Sequence, residues 1–190
     1  MMGMYLVLRF RKFCFSTLVF WFVVSCKPSQ LEFKTLPLGG DIELTGMSGA
    51  KQNIYSELKK ANILFFGFTH CPDFCPTILQ KIDRALQFDT AINPNQFSLI
   101  FISVDCKHDS PEKIKQYLAR FKYARGFSAD CETLPRVEKL FGAYSKIETK
   151  SISHSLYLYL INDRGETQYL FRHDDPTEKI AAGVKQLLAQ

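Results

Sequence analysis

Asn62-Ile63-Leu64-Phe65-Phe66-Gly67-Phe68 runs directly into Thr69-His70-Cys71-Pro72-Asp73-Phe74-Cys75-Pro76. A nearly unbroken apolar run of that length predicts a strand covered on both faces, because a half-exposed strand would alternate. The loop leads into a helix from about Pro76, with Ile78, Leu79, Ile82, Ala85 and Leu86 on one face. Strand, loop and helix make the opening of a crossover unit. In α/β folds the loops at the carboxyl ends of parallel strands carry the chemistry.

The pattern repeats downstream. Phe97 to Val104 reads as a second buried strand. Ser110 caps the next helix, with Pro111 in its first turn and Ile114, Tyr117, Leu118 and Phe121 facing inward. A third helix shows Leu134, Val137, Leu140, Phe141 and Tyr144, with a weakly marked strand before it. Ser155 to Ile161 is a strand, Asn162-Asp163-Arg164-Gly165 a turn, and Thr167 to Phe171 its hairpin partner. Asp175-Pro176 opens the last helix, with Ile180, Val184, Leu187 and Leu188 inward. Upstream, Ile42 to Thr45 and Gln52 to Ile54 flank a Gly46-Met47-Ser48-Gly49 turn and read as a hairpin. This order predicts an α/β sandwich of thioredoxin-like type, with a central mixed sheet and an N-terminal β-hairpin.

Composition agrees. The chain has 190 residues, 46% apolar and 23% charged, which fits one domain and excludes collagen, wholesale disorder and a multi-span membrane protein. The net charge of +5 owes three units to Arg9, Arg11 and Lys12, and without them it falls to +2. That mild surplus gives no reason to expect a nucleic-acid partner. Six cysteines are too few for a disulfide-built miniprotein, so each must be asked what it does.

The amino terminus reads as an address. A basic head ending at Lys12 precedes an uncharged stretch from Phe13 to Val24. As a helix it would rise about 18 Å, short of the ~30 Å hydrocarbon core. Basic head, short apolar stretch and small residues form a secretory signal. Val23-Val24-Ser25-Cys26 resembles a bacterial lipobox, which makes Cys26 the expected lipidation site. The expected division is a signal at 1–25, a tether at 26–33 and the folded domain at 34–190. The expected location is the cell membrane, as a bacterial lipoprotein facing the periplasm or another extracytoplasmic space. Disulfides can form there, and working thiols need a reductant protein.

Cys71 and Cys75 stand four positions apart. On a helical turn that spacing puts both side chains on one side, with Cβ atoms about 5–6 Å apart. The helix mouth is expected to favour thiolate at Cys75. Two thiolates can clasp one soft ion, copper(I) or a tetrahedral zinc, or close into a disulfide. A third ligand must come from elsewhere, and the two cysteines also admit a purely structural reading.

Phe66-Gly67-Phe68-Thr69-His70-Cys71-Pro72-Asp73-Phe74-Cys75-Pro76 closely resembles the signature of the Sco (SenC) family. Ser103-Val104-Asp105 with Asp109-Ser110-Pro111-Glu112 is similar to that family's next segment. His154-Ser155-Leu156-Tyr157-Leu158-Tyr159-Leu160 is similar to its histidine strand, and Asp163-Arg164-Gly165 to the following turn. The resemblance runs from about Phe33 to the end. It implies a membrane-anchored thioredoxin-like copper protein serving the copper site of cytochrome c oxidase. Its metal ligands would be Cys71, Cys75 and His154, holding one copper per chain as Cu+ or Cu2+. The implied partner is a copper acceptor such as cytochrome c oxidase subunit II.

Two positions depart from the family pattern. Cys106 stands where proline is common, and Ser153 where an acid usually precedes the histidine. The missing carboxylate is expected to weaken the contacts that orient His154 and so to lower metal affinity. Cys106 and Cys131, at the ends of neighbouring segments, are candidates for a structural disulfide. Cys14 lies in the signal. His70 is expected to point away from the sulfurs, His108 and His173 to be solvated, and Asp105 to stabilise the loop. Asp73 either tunes the thiolates or caps the turn.

Three functions compete. The first is copper delivery by ligand exchange. The second is a thiol-disulfide reductase cycling Cys71 and Cys75; against it stand the wider cysteine spacing and the lack of any proline between Pro135 and Pro176 to serve as a cis-proline dock. The third, a peroxidase using Thr69, fits poorly with a second cysteine four residues on.

Overall fold

The computed structural model describes residues 30–88, 92–147 and 152–190. The expected signal, Cys14, Cys26 and the first half of the tether lie outside those residues. No helix among the described residues is long and apolar enough to cross a membrane.

Two strands begin the fold, β1 (Glu43–Gly46) and β2 (Lys51–Asn53), followed by β3 (Ala61–Gly67) and α1 (Phe74–Phe88). Next come β4 (Phe97–Ser103), α2 (Pro111–Leu118), β5 (Ala124–Ser128) and α3 (Leu134–Leu140). The chain ends with β6 (Ser145–Ile147), β7 (Ile152–His154), β8 (Tyr157–Asn162), β9 (Thr167–Arg172) and α4 (Thr177–Leu188). Seven strands form one mixed sheet in the order β2-β1-β5-β4-β3-β8-β9. Strands β3, β4 and β5 are parallel, while β8 and β1 join antiparallel on either side. This is the expected thioredoxin-like sandwich.

The apolar run is explained by its two faces. Ile63 and Phe65 join the core under α1, α2 and α4, with Ile78, Leu79, Ile114 and Val184. Leu64 and Phe66 join the opposite core, with Val137 and Phe141 of the α3 region. Every residue of β3 and β4 is buried. Before β1, Leu31 and Phe33 pack against the first core, and the Leu31 backbone exchanges two hydrogen bonds with the Gln186 side chain at 2.9 and 2.7 Å.

Three details differ from expectation. Helix α1 starts at Phe74 rather than Pro76; Thr77 donates both its N–H and its hydroxyl to the Asp73 carbonyl, and Pro76 in the first turn loses no helix bond. Tyr144 is 61% exposed and belongs to neither core. His154 ends β7, in a separate two-stranded hairpin with β6, instead of beginning the strand that follows. The break has a cause: Ser155 N–H donates to the Tyr144 carbonyl and Tyr144 N–H donates to Ser155 Oγ, at 3.0 and 3.1 Å, closing the hairpin before β8 starts.

Candidate metal centre

Strand order decides what meets at the carboxyl end of β3. Phe65 pairs with Leu158 in the antiparallel ladder, so β8 begins where β3 ends. The loop after β3, the loop after β4 and the junction between β7 and β8 therefore share one end of the sheet. Val104 N–H donates to the Gly67 carbonyl at 2.8 Å and carries the β3–β4 ladder into the loops.

Cys71 and Cys75 are both free thiols, Cys71 partly buried and Cys75 fully. Cys71 N–H donates to the Phe68 carbonyl at 3.3 Å, and Cys75 N–H donates to Cys71 Sγ at 3.4 Å. The sulfur of Cys75 sits in the space that Gly67 leaves, beside Phe65 and Phe101. Burial there raises the Cys75 pKa, against a hydrogen bond from the Phe68 backbone that lowers it; the Cys71 sulfur and the Asp109 carboxylate add smaller upward pushes. The helix mouth was expected to give a thiolate. Desolvation outweighs the helix N-terminus, and in this state Cys75 is a thiol.

His154 packs its ring against Phe68 at 5.7 Å and Phe65 at 6.1 Å between centroids. Phe68 thus touches both cysteines and the histidine. His154 Nδ1–H donates to the Ser155 carbonyl at 2.9 Å, which leaves Nε2 as the ligand-ready nitrogen. Burial lowers its pKa, opposed by that hydrogen bond, so the ring stays neutral. The partner of Nδ1 is a backbone carbonyl rather than the carboxylate missing at Ser153, and it serves the same orienting purpose. Two thiols and one neutral imidazole fit a soft ion by donor chemistry. The three donor atoms are not gathered within 4.8 Å; among the described residues the trio that meets that criterion is His70, Asp105 and Asp109.

That second trio sits in the loop after β4. Asp109 accepts Thr69 N–H at 2.8 Å, Thr69 Oγ1–H at 2.6 Å and Ser103 Oγ–H at 2.6 Å. It clamps the cysteine loop to the neighbouring strand. Sequence reasoning saw Asp109 only as part of a motif; the signal available was the Asp-x-x-x-Asp spacing beside a buried serine. Asp105 accepts the N–H groups of Lys107 and His108 at 3.2 Å each, as a loop stabiliser should. His70 turns toward these carboxylates. His173 stacks edge-on against Phe74 at 6.0 Å. Cys106 and Cys131 are joined by a disulfide with Cα atoms 5.1 Å apart. It staples the loop after β4 to the loop after β5, whose strands pair at Ser103 and Ser128.

The SCO1/SenC family model matches residues 33–189. The human mitochondrial Protein SCO1 homolog is 28% identical over 155 residues, covering 77% of this chain and 52% of the human one, so the match spans about half of that relative's length. Among solved structures, Arabidopsis thaliana ScoI with copper bound aligns at a TM-score of 0.75 and 25% identity, covering 80% of this chain and 99% of that one. Bradyrhizobium japonicum ScoI with copper bound aligns at a TM-score of 0.67 and 33% identity, covering 78% of this chain and 98% of that one.

Proposed function

This chain belongs to the SCO1/SenC family, and from that premise we propose that it binds copper through Cys71, Cys75 and His154 and delivers it to, or prepares, the copper site of a cytochrome oxidase. The observation that carries the proposal is the arrangement around Phe68: two free thiols and an imidazole whose hydrogen bond leaves Nε2 unprotonated. Copper-bound relatives of the same fold support the choice of metal. The thiols supply thiolate ligands once deprotonated, and His154 supplies Nε2. Cys71 is the more exposed sulfur, the one an acceptor's ligand reaches first in an exchange. The lipobox-like Val23-Val24-Ser25-Cys26 supports a lipid anchor at Cys26 and work outside the cytoplasm, with a thiol reductant and an acceptor such as subunit II as partners.

The test is copper(I) titration of the reduced chain under anaerobic conditions. One copper per chain is expected, weakened at least about a hundredfold by Cys71→Ala or Cys75→Ala and about tenfold or more by His154→Ala. Stoichiometric binding indifferent to all three substitutions ends the proposal. The reductase reading draws on the same free thiols, and it prevails instead if the chain rapidly reduces insulin disulfides with no effect of His154→Ala. The wider cysteine spacing and the lack of any proline between Pro135 and Pro176 argue against it.

A further inference from the structure

The Tyr117 hydroxyl is a buried polar atom to which the copper reading gives no task. Tyr117 lies in α2 and the residue is only half-buried, yet its Oη is buried and has no hydrogen-bond partner among the described residues. Amphipathic side chains ordinarily do the reverse, burying the apolar body and giving the polar tip to water. Tyr117 turns its tip inward and leaves another part of the residue exposed. A buried donor without a partner costs stability, so the inward aim needs a reason.

The helix sets that aim. Helix α2 starts directly after Asp109 and Ser110, at the cysteine end of the sheet, and long helical side chains lean back toward the N-terminus. The Tyr117 ring packs on Phe101 of β4, with 5.8 Å between centroids. Phe101 pairs with Phe65 across the β3–β4 ladder, and both rings stand with Cys75 Sγ around the space that Gly67 leaves. Tyr117, Phe101 and the buried thiol thus share one side of the sheet, in the core under α1 and α2. Burial is the first cause that raises the Tyr117 pKa, and the next upward pushes come from the Cys75 and Cys71 sulfurs, in that order. The Arg120 guanidinium opposes them, and Asp109 adds a smaller push. Among ionisable groups the two sulfurs therefore act on the hydroxyl most strongly, Cys75 more than Cys71.

The chemistry of the sulfur supplies the reason. A protonated sulfur is a weak acceptor, so the hydroxyl gains little from Cys75 in its thiol form. A copper-bound sulfur is ionised and attracts a donor strongly. A phenol titrates near 10 even when exposed, so at neutral pH Tyr117 has a proton to share. The Phe68 backbone already donates to the Cys75 sulfur. We propose that Tyr117 is a positioning residue for the metal centre: its O–H donates to the Cys75 sulfur once that sulfur binds copper(I), and holds it in the ligating position. This inference rests on the copper reading of the sulfur pair. An outer hydrogen bond of this kind fixes a ligand's direction and draws electron density from the sulfur. The unpaired hydroxyl beside the thiol is thus a donor held ready for the ionised form.

Tyr117→Phe removes the oxygen and keeps the ring. The reduced full chain and this variant are titrated side by side with copper(I) against a chelator, and each is melted. Copper(I) affinity is expected to fall about tenfold, while the melting temperature holds or rises because an unpaired buried donor has gone. The loss should shrink to under about twofold when Cys75→Ala is also present, and persist when Cys71→Ala is. In the Cu2+ form the sulfur-to-copper absorption band should move to longer wavelength in Tyr117→Phe, a change that ring packing alone does not produce. Affinity within about twofold of the unsubstituted chain, with the band unmoved, overturns the donor role. So does a loss that comes with a matching fall in melting temperature, or one that is the same in Cys75→Ala. Failure of the unsubstituted chain to bind copper is a different result: it ends the copper reading itself, and this inference with it.

Discussion

The loops after β3 and β4 occupy equivalent positions at the ends of adjacent parallel strands, yet they treat their polar groups in opposite ways. In the first, Cys75 lies buried as a thiol, and the Cys71 sulfur accepts a long bond of 3.4 Å from the Cys75 N–H. In the second, Asp105 and Asp109 accept hydrogen bonds from backbone, hydroxyl and imidazole donors. A satisfied polar network in a low-dielectric interior is rigid. A set of donors meant to take and release an ion must instead be left without strong competing bonds. Asp109 joins the two loops, so the firm one positions the loose one. Four perturbations test that division of labour, in decreasing order of effect.

Asp109→Ala should do the most damage. It strips the acceptor from Thr69 N–H, the Thr69 hydroxyl and the Ser103 hydroxyl, all in buried or half-buried ground. The expected loss is about 3–5 kcal/mol, a fall in melting temperature of roughly 10 °C or more. Copper(I) affinity should fall with it, because Thr69 leads directly into the cysteine loop. A loss under about 1 kcal/mol would mean that water replaces the clamp, and the contrast between the loops would go.

The Cys106–Cys131 disulfide spans a sequence separation of 25, so replacing both cysteines by serine should lower stability by roughly 3 kcal/mol. Copper(I) stoichiometry should be unchanged, since the staple ties the firm loop to the loop after β5 and leaves the sulfur pair alone. Copper loss in a variant that remains folded at the assay temperature would instead make the staple part of the binding geometry.

How much of this was legible beforehand depended on whether a residue's role is local. Strands β3 and β4 announce themselves because both faces of each are covered, and the cysteine spacing announces paired sulfurs. Strand β5 is weakly marked. Gly126 is a glycine because Ile114 and Leu118 already fill its face, where a methyl group would meet them at 2.2 and 2.7 Å. Its neighbour Arg125 is held by the Ile54 carbonyl and Glu57 rather than by apolar packing. The β6–β7 hairpin has no apolar rhythm and depends on the Ser155–Tyr144 bonds, which only tertiary structure reveals. The protonation of Cys75 turns on burial, whereas the sequence displays only the helix mouth. The pairing of His70 and His108 over Asp105 follows from a loop conformation that no spacing rule encodes.

Gly67→Ala probes the loose loop from below. A methyl group there would lie 2.8 Å from Phe101, 2.9 Å from Phe65 and 3.0 Å from Cys75 Sγ. Two rings and the sulfur must shift, at about 1–3 kcal/mol. Copper(I) affinity should fall by more than the stability loss alone explains, because the displaced atom is a proposed ligand. A variant destabilised to that degree but binding copper normally would show that the resting position of Cys75 is not the one used for the metal.

The smallest effect per step is also the most diagnostic. Burial raises the Cys75 pKa, so the thiol keeps its proton across the neutral range and must release it to ligate. Copper(I) affinity therefore rises with pH, by about tenfold per unit, or 1.4 kcal/mol, for that one proton. His154 works in the opposite sense: burial lowers its pKa, the ring is neutral at and somewhat below the usual imidazole value, and it adds no further steepening near pH 6.5. Competition titrations at pH 6, 7 and 8 against a copper(I) chelator of known proton affinity read the slope directly. In Cys75→Ala the residual binding should lose that tenfold step. A flat profile in the unsubstituted chain would mean that the sulfur is already ionised or never ligates, and the loop after β3 would then be no looser, chemically, than its neighbour.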